Sequence, residues 1–161
     1  MNESPVQLLQ RLAVQLSQNQ QKICSAESCT GGLIAKTCTD LAGSSAWFER
    51  GFVTYSNEAK HEMLAVPMTV IDEYGAVSEA VAMAMVKGAL AHSRADYAIA
   101  VTGVAGPGGG SEAKPVGYVW IAVASIRQAQ ARSYQFSGDR DGVRQATLLQ
   151  ALKDILQLTG G

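Results

Sequence analysis

The sequence predicts a single-domain α/β fold, a three-layer α/β/α sandwich around a mixed sheet. Three observations carry this expectation. Apolar stretches of helical period alternate with short β-branched, aromatic or continuously apolar runs along the whole chain. Two of those runs, near the C-terminus, follow each other directly and pair as a hairpin, which a wholly parallel sheet would not contain. The length of 161 residues matches one domain of about 150, and residues 1–161 show no linker, internal repeat or low-complexity tract.

Each element has its own signal. Ser4, Pro5 and Gln7 read as an N-cap, a first-turn proline and a completed S-x-x-Q capping box. Val6, Leu9, Leu12, Ala13 and Leu16 then recur at helical spacing as far as about Gln18. Lys22 to Ala26 reads as a short strand and Cys29 to Asp40 as a second helix, closed by the loop at 42–45. Trp47 to Tyr55 is β-branched and aromatic, a strand. Ser56-Asn57 caps a brief helix from Glu58 to Leu64 that Pro67 ends. Ser78 caps a helix with Val81, Met85 and Leu90 on its apolar face. Asp96 to Val101 is a buried strand, and Val116 to Ile126 with Ala131 to Phe136 forms the hairpin. Asp139 caps the last helix, in which Val143, Leu148, Ala151, Leu152, Ile155 and Leu156 keep the 3.6-residue period.

Composition excludes several classes of function. The hydrophobic fraction of 47% and net charge of −1 are those of a chain that builds a core, not of a disordered one. With 13 Lys+Arg against 14 Asp+Glu, no basic excess supports binding to nucleic acid by counterion release. No apolar run approaches the ~20 residues of a membrane span, and MNESPVQLLQ lacks the basic start and apolar run of a signal peptide. A cytoplasmic protein is expected. Cys24, Cys29 and Cys38 are odd in number without CxxC spacing, and His61 and His92 form no HExxH, so neither a disulfide framework, a metal site nor any other cofactor is expected.

Glycine is unevenly placed. Of sixteen glycines, five lie between Gly103 and Gly110 and another pair is Gly31-Gly32. In Ala26-Glu27-Ser28-Cys29-Thr30-Gly31-Gly32 a strand gives way to a helix whose first amides lack internal partners. Ser28 there is a candidate nucleophile, with the amides of Thr30 and Gly31 as its oxyanion hole; the alternative is that Ser28 or Thr30 only caps the helix. Two glycines in first helical turns are unfavourable by roughly 1 kcal/mol each, which argues that something approaches that backbone closely. A nucleophilic serine needs a base. In Tyr55-Ser56-Asn57-Glu58-Ala59-Lys60, Lys60 falls in the first turn of a helix, where the dipole and burial both lower an ammonium pKa. Tyr55 could relay a proton or orient it; a solvated helix lysine is the plain alternative. Cys29 invites a thiol-enzyme reading against that of a small core residue.

Thr102-Gly103-Val104-Ala105-Gly106-Pro107-Gly108-Gly109-Gly110 follows a strand but is neither GxGxxG nor a Walker loop. Its amides could cradle a phosphate or carboxylate, or simply turn the chain back through Lys114-Pro115-Val116-Gly117. At the start of the last helix Arg140 and Arg144 lie four apart, a spacing that could fork onto a phosphate or make surface ion pairs.

Taken together, AESCTGG (26–32), YSNEAK (55–60), GVAGPGGG with KPVG (103–117) and FSGDR with VR (136–144) closely resemble the nicotinamide mononucleotide deamidase family, which also occurs as the C-terminal domain of the competence/damage-inducible CinA proteins. The resemblance spans about residues 5 to 158, and a chain starting directly at this domain looks like the stand-alone form. It implies a serine amidohydrolase that converts nicotinamide mononucleotide and water to nicotinate mononucleotide and ammonia in pyridine nucleotide recycling. Ser28 would be the nucleophile and Lys60 its base, with Tyr55 assisting, in a homodimer. Asn57, Thr102, Gly103 and Gly106 around the substrate, and Arg140 and Arg144 at its phosphate, are further expectations from loop and charge placement. Rival readings are a phosphate-binding module without turnover, a thiol hydrolase through Cys29, and a metal-dependent enzyme.

Overall fold

The computed structural model describes residues 2–160. In chain order the elements are α1 (Pro5–Gln18), β1 (Ile23–Glu27), α2 (Leu33–Asp40), β2 (Phe48–Val53), α3 (Asn57–Leu64), α4 (Met68–Tyr74), α5 (Glu79–Ala91), β3 (Tyr97–Gly103), β4 (Tyr118–Ser125), β5 (Ala129–Gln135) and α6 (Arg140–Leu158). A short 3₁₀ turn at Ser44–Ala46 precedes β2. The sheet runs β2-β1-β3-β4-β5. β1 is parallel to β2 and β3, whereas β4 is antiparallel to both β3 and β5. It is the expected mixed sheet, with the expected hairpin at its C-terminal edge.

The two faces of the sheet differ in side-chain size, which follows from the period-2 alternation of its central strands. Ile99, Val101, Val119, Ile121 and Val123 point to one face and pack against Leu9, Leu12 and Leu16 of α1 and Val143, Leu152 and Ile155 of α6. Ala98, Ala100, Ala122 and Ala124 point to the other face and pack against Val81, Met85 and Val86 of α5, together with Leu64 of α3 and Ile71 of α4. An alanine-paved face lets α5 lie close to the strands. The layers are thus α1, α2 and α6 on one side and α3, α4 and α5 on the other.

Local signals explain most boundaries. Ser4 and Gln7 form both bonds of the capping box, while Ser56, Ser78 and Asp139 each accept an amide of the helix they precede. Three expectations need correction. The helix placed at Cys29 starts only at Leu33, because Gly31 (φ +61°) and Gly32 (φ +108°) are left-handed and break the helical path. The doubled glycine therefore serves a turn that other residues adopt only with strain. α4 is not foreshadowed: a seven-residue helix with Ile71 as its buried residue has no periodicity to read. Val6, placed on the apolar face of α1, is 57% exposed, and Leu8 is buried instead.

Gly88 makes a test of the close α3–α5 contact. Alanine normally favours a helix over glycine by roughly 1 kcal/mol. A Cβ at Gly88 would lie 2.1 Å from the carbonyl oxygen of Leu64, so backbone must move. Gly88→Ala is expected to destabilise by about 1–3 kcal/mol, read as a Tm several degrees lower; a raised Tm would refute the packing argument.

Candidate active site

The carboxyl ends of the three parallel strands β2, β1 and β3 lie side by side, the usual place for a site in an open α/β sheet. Ser28 immediately follows β1. Its amide donates to the Val101 carbonyl of β3, and its carbonyl accepts from Gly31 in a tight turn. That turn aims the side chain out of the sheet's end. Glu27, the last residue of β1, is wholly buried. One of its carboxylate oxygens accepts from Thr30 Oγ1 (2.6 Å) and the Ile34 amide (2.8 Å), the other from the Ala35 amide (2.9 Å). Gly32, at the helix N-cap, has no side chain to offer, so Glu27 caps α2 from the preceding strand.

The amide inventory alters the expected oxyanion hole. Gly31 gives its amide to Ser28, Leu33 to the Thr30 carbonyl, and Ile34 and Ala35 to Glu27. Gly31 is therefore not available to an oxyanion. Within residues 28–35, the amides of Cys29, Thr30 and Gly32 have no protein acceptor, and those of Cys29 and Thr30 directly follow Ser28.

Lys60 comes from the other side of the sheet. Ser56 caps α3 by accepting the Ala59 amide, in place of Asn57, and Lys60 follows within the first turns. Helical side chains lean toward their own N-terminus, which carries the ammonium end back over residues 54 and 55. Its Nζ lies 3.0 Å from the Thr54 carbonyl, 3.2 Å from the Tyr55 carbonyl and 3.1 Å from Ser28 Oγ. Lys60 is 1% exposed. Burial disfavours its charged form and holds its pKa below the ordinary lysine range, with weaker opposition from Cys29 and Glu58. The contact expected of Tyr55 is made by its backbone: the phenol is 60% exposed and its oxygen accepts from Arg140 Nη2 at 3.0 Å.

These residues open on a pocket of about 300 Å³ that also includes Cys29, Asn57, Ala76, Val77 and the loop from Gly103 to Gly109. Thr102 braces its wall, donating to the Ala76 carbonyl at 2.8 Å. Gly103 is required by packing, since a Cβ there would meet Val119 at 2.6 Å; Gly106 (φ +85°) would meet Val116 at 2.5 Å. Arg140 stands at the mouth and donates to the Gly106 carbonyl at 2.7 Å as well as to Tyr55. Arg144 does not join it. Its Nη2 reaches the Thr30 carbonyl at 2.6 Å, packed over Gly31 where a Cβ would lie 3.1 Å away. It braces the Ser28 turn, and of the two arginines expected to act together only Arg140 lines the pocket.

Apart from Lys60 and Arg140, the pocket lining carries no charged side chain. Cys29 is 6% exposed, and burial pushes its thiol up to about 11, far from the thiolate that a cysteine nucleophile needs. Glu27, Thr54 and the 76–77 segment are the contributors that sequence reasoning passed over. No sequence signal marks Glu27, because Ser28 and Thr30 already stand as caps for the second helix.

Comparison with known proteins gives the chain's relatives. The CinA C-terminal domain family model matches residues 6–159. The nicotinamide-nucleotide amidohydrolase PncC of Escherichia coli K12 is 52% identical over 153 residues, covering 94% of this chain and 93% of that protein. PncC of Pseudomonas putida is 50% identical over 151 residues, with 94% of each chain covered. Among solved structures, the competence/damage inducible protein CihA of Agrobacterium tumefaciens superposes with a TM-score of 0.94 at 42% identity, covering 98% of this chain and 99% of that one. With the family model matched over residues 6–159 and relatives of about half identity along nearly the whole chain, this chain belongs to the CinA C-terminal domain family.

Proposed function

We propose that the protein is a nicotinamide-nucleotide amidohydrolase, releasing ammonia from nicotinamide mononucleotide through a Ser28–Lys60 pair. The observation that carries the reading is the 3.1 Å approach of a buried Lys60 Nζ to Ser28 Oγ. Relatives at about half identity over nearly their full length bear the name of that activity.

A neutral amine has two N–H groups and one lone pair. With the Thr54 and Tyr55 carbonyls taking the two N–H groups, the lone pair is left for the Ser28 hydroxyl. Lys60 takes the hydroxyl proton as Oγ bonds to the carboxamide carbon. The amides of Cys29 and Thr30 hold the oxyanion. The C–N bond then breaks, and ammonia leaves with the proton from Lys60. Water attacks the acyl ester, Lys60 receives its proton and returns one to Ser28, and nicotinate mononucleotide departs. Arg140 meets the phosphate, while Asn57, Thr102, Gly103 and Gly106 shape the walls. Composition adds the expectation of a cytoplasmic setting and the family resemblance that of a homodimer, the latter to be measured by analytical ultracentrifugation.

Ammonia release from nicotinamide mononucleotide, beside free nicotinamide, tests the reading. The nucleotide is expected to turn over and the free base to fail, having no phosphate for Arg140. Arg140→Ala is expected to raise KM about tenfold or more, as loss of a charge-assisted hydrogen bond does, with kcat within about threefold. Protection of the protein against heat by the nucleotide, without ammonia, would favour a binding module instead.

A further inference from the structure

Glu27 is a buried carboxylate that the reaction above leaves idle. Its side chain brackets the nucleophile's turn: Thr30 Oγ1 binds it from within the turn, and the Ile34 and Ala35 amides bind it from the helix beyond. Its backbone does a second thing. The Glu27 carbonyl accepts the Thr54 amide at 2.8 Å, and Thr54 in turn presents the carbonyl that Lys60 holds. One residue therefore touches the supports of both members of the pair, at 0% exposure, where water offers no substitute partners.

We infer that Glu27 is a positioning residue for the chemical step: its carboxylate fixes the 28–32 turn so that Ser28 Oγ stays within reach of Lys60. The inference rests on the reading of Ser28 as nucleophile. A helix cap of purely structural worth would change stability and leave the reactivity of Ser28 in the folded protein untouched. A positioning group must change that reactivity, because a displacement near 1 Å at the reacting atoms slows a reaction by up to ~100-fold. Substrate affinity should be spared, since Arg140 is held at the pocket by the Gly106 carbonyl and the Tyr55 hydroxyl, neither of which belongs to the β1–α2 turn.

Glu27→Gln keeps the shape and loses the charge and one acceptor. Two rates are compared with wild type, at a temperature where both are folded by circular dichroism. These are kcat and KM for ammonia release from nicotinamide mononucleotide, and the rate at which a fluorophosphonate probe phosphonylates Ser28, read by mass spectrometry. The expected result is kcat and labelling slowed together, about tenfold or more, with KM within about twofold. Because Glu27→Gln can fail to fold, Thr30→Val and Thr30→Ser form a second pair. Loss of the Thr30 hydroxyl should slow both rates, and Thr30→Ser, which keeps it, should be faster than Thr30→Val in both by about fivefold or more. Wild-type kcat and labelling in a folded Glu27→Gln, or a fall in kcat matched by a rise in KM, would overturn the inference. So would Thr30→Val and Thr30→Ser behaving alike. A wild type that is labelled at Ser28 yet releases no ammonia would overturn the substrate reading alone, and the labelling rates would still decide the role of Glu27.

Discussion

Ser28→Ala is expected to lower kcat for ammonia release by at least ~10⁴-fold, the scale seen when a covalent nucleophile is removed, while Tm stays within about 4 °C of wild type. The small stability effect follows from what the side chain touches. Ser28 Oγ has Lys60 Nζ as its hydrogen-bond partner. The bonds that shape the turn, from the Ser28 amide to Val101 and from Gly31 to the Ser28 carbonyl, are backbone bonds that alanine keeps. Alanine removes one buried hydrogen bond while Lys60 keeps its two carbonyl partners, an effect of about 1 kcal/mol, which in a chain of this size corresponds to about 2–4 °C. Cys29→Ser, one residue along, is the matched control and is expected to retain most of the activity, because a thiol with its pKa pushed up to about 11 supplies no nucleophile near neutral pH. Full activity in Ser28→Ala, or loss confined to Cys29→Ser, would transfer the chemistry to sulfur.

The pair at the centre of the site is legible in the sequence for a local reason. Ser28 follows an apolar strand and precedes two glycines; Lys60 follows a strand and a serine cap, and each signal is complete within seven residues. What the sequence does not carry is the strand order. Only the placement of β1 between β2 and β3 brings residue 28 beside residues 54–60 and 102–109. The arginines show the same boundary between local and tertiary information. An i,i+4 spacing puts Arg140 and Arg144 on one helical face, yet that face spans two neighbours. The Gly106 carbonyl takes one guanidinium and the Thr30 carbonyl the other. Glu27 was hidden by the rule that caps lie adjacent to their helix. It reaches seven and eight residues forward to do a cap's work, because Gly31 and Gly32 make a turn tight enough to bring the helix start back over the strand end.

Lys60→Met and Lys60→Arg are both expected to lower kcat by ~10³–10⁴-fold, the upper range for losing a general base, and the pair separates basicity from charge. Methionine fills similar volume without a nitrogen. Arginine restores a cation that stays protonated at any accessible pH, so a merely electrostatic role for Lys60 would be rescued by it. In the wild type, kcat/KM should rise with pH as the base form of Lys60 accumulates, with a midpoint below the ordinary lysine range because burial disfavours the ammonium. Stability must follow the same titration. Below the folded-state pKa the lysine is protonated in both states and its burial penalty is fully felt. As pH rises from that value toward the unfolded pKa, the unfolded chain binds more protons than the folded one, so the contribution becomes more favourable with pH. The Tm of wild type relative to Lys60→Met should therefore improve across the window in which activity appears. A flat pH–rate profile combined with an active Lys60→Arg would refute the base assignment. An activity limb without the matching stability trend would assign the titration to a group other than this buried amine.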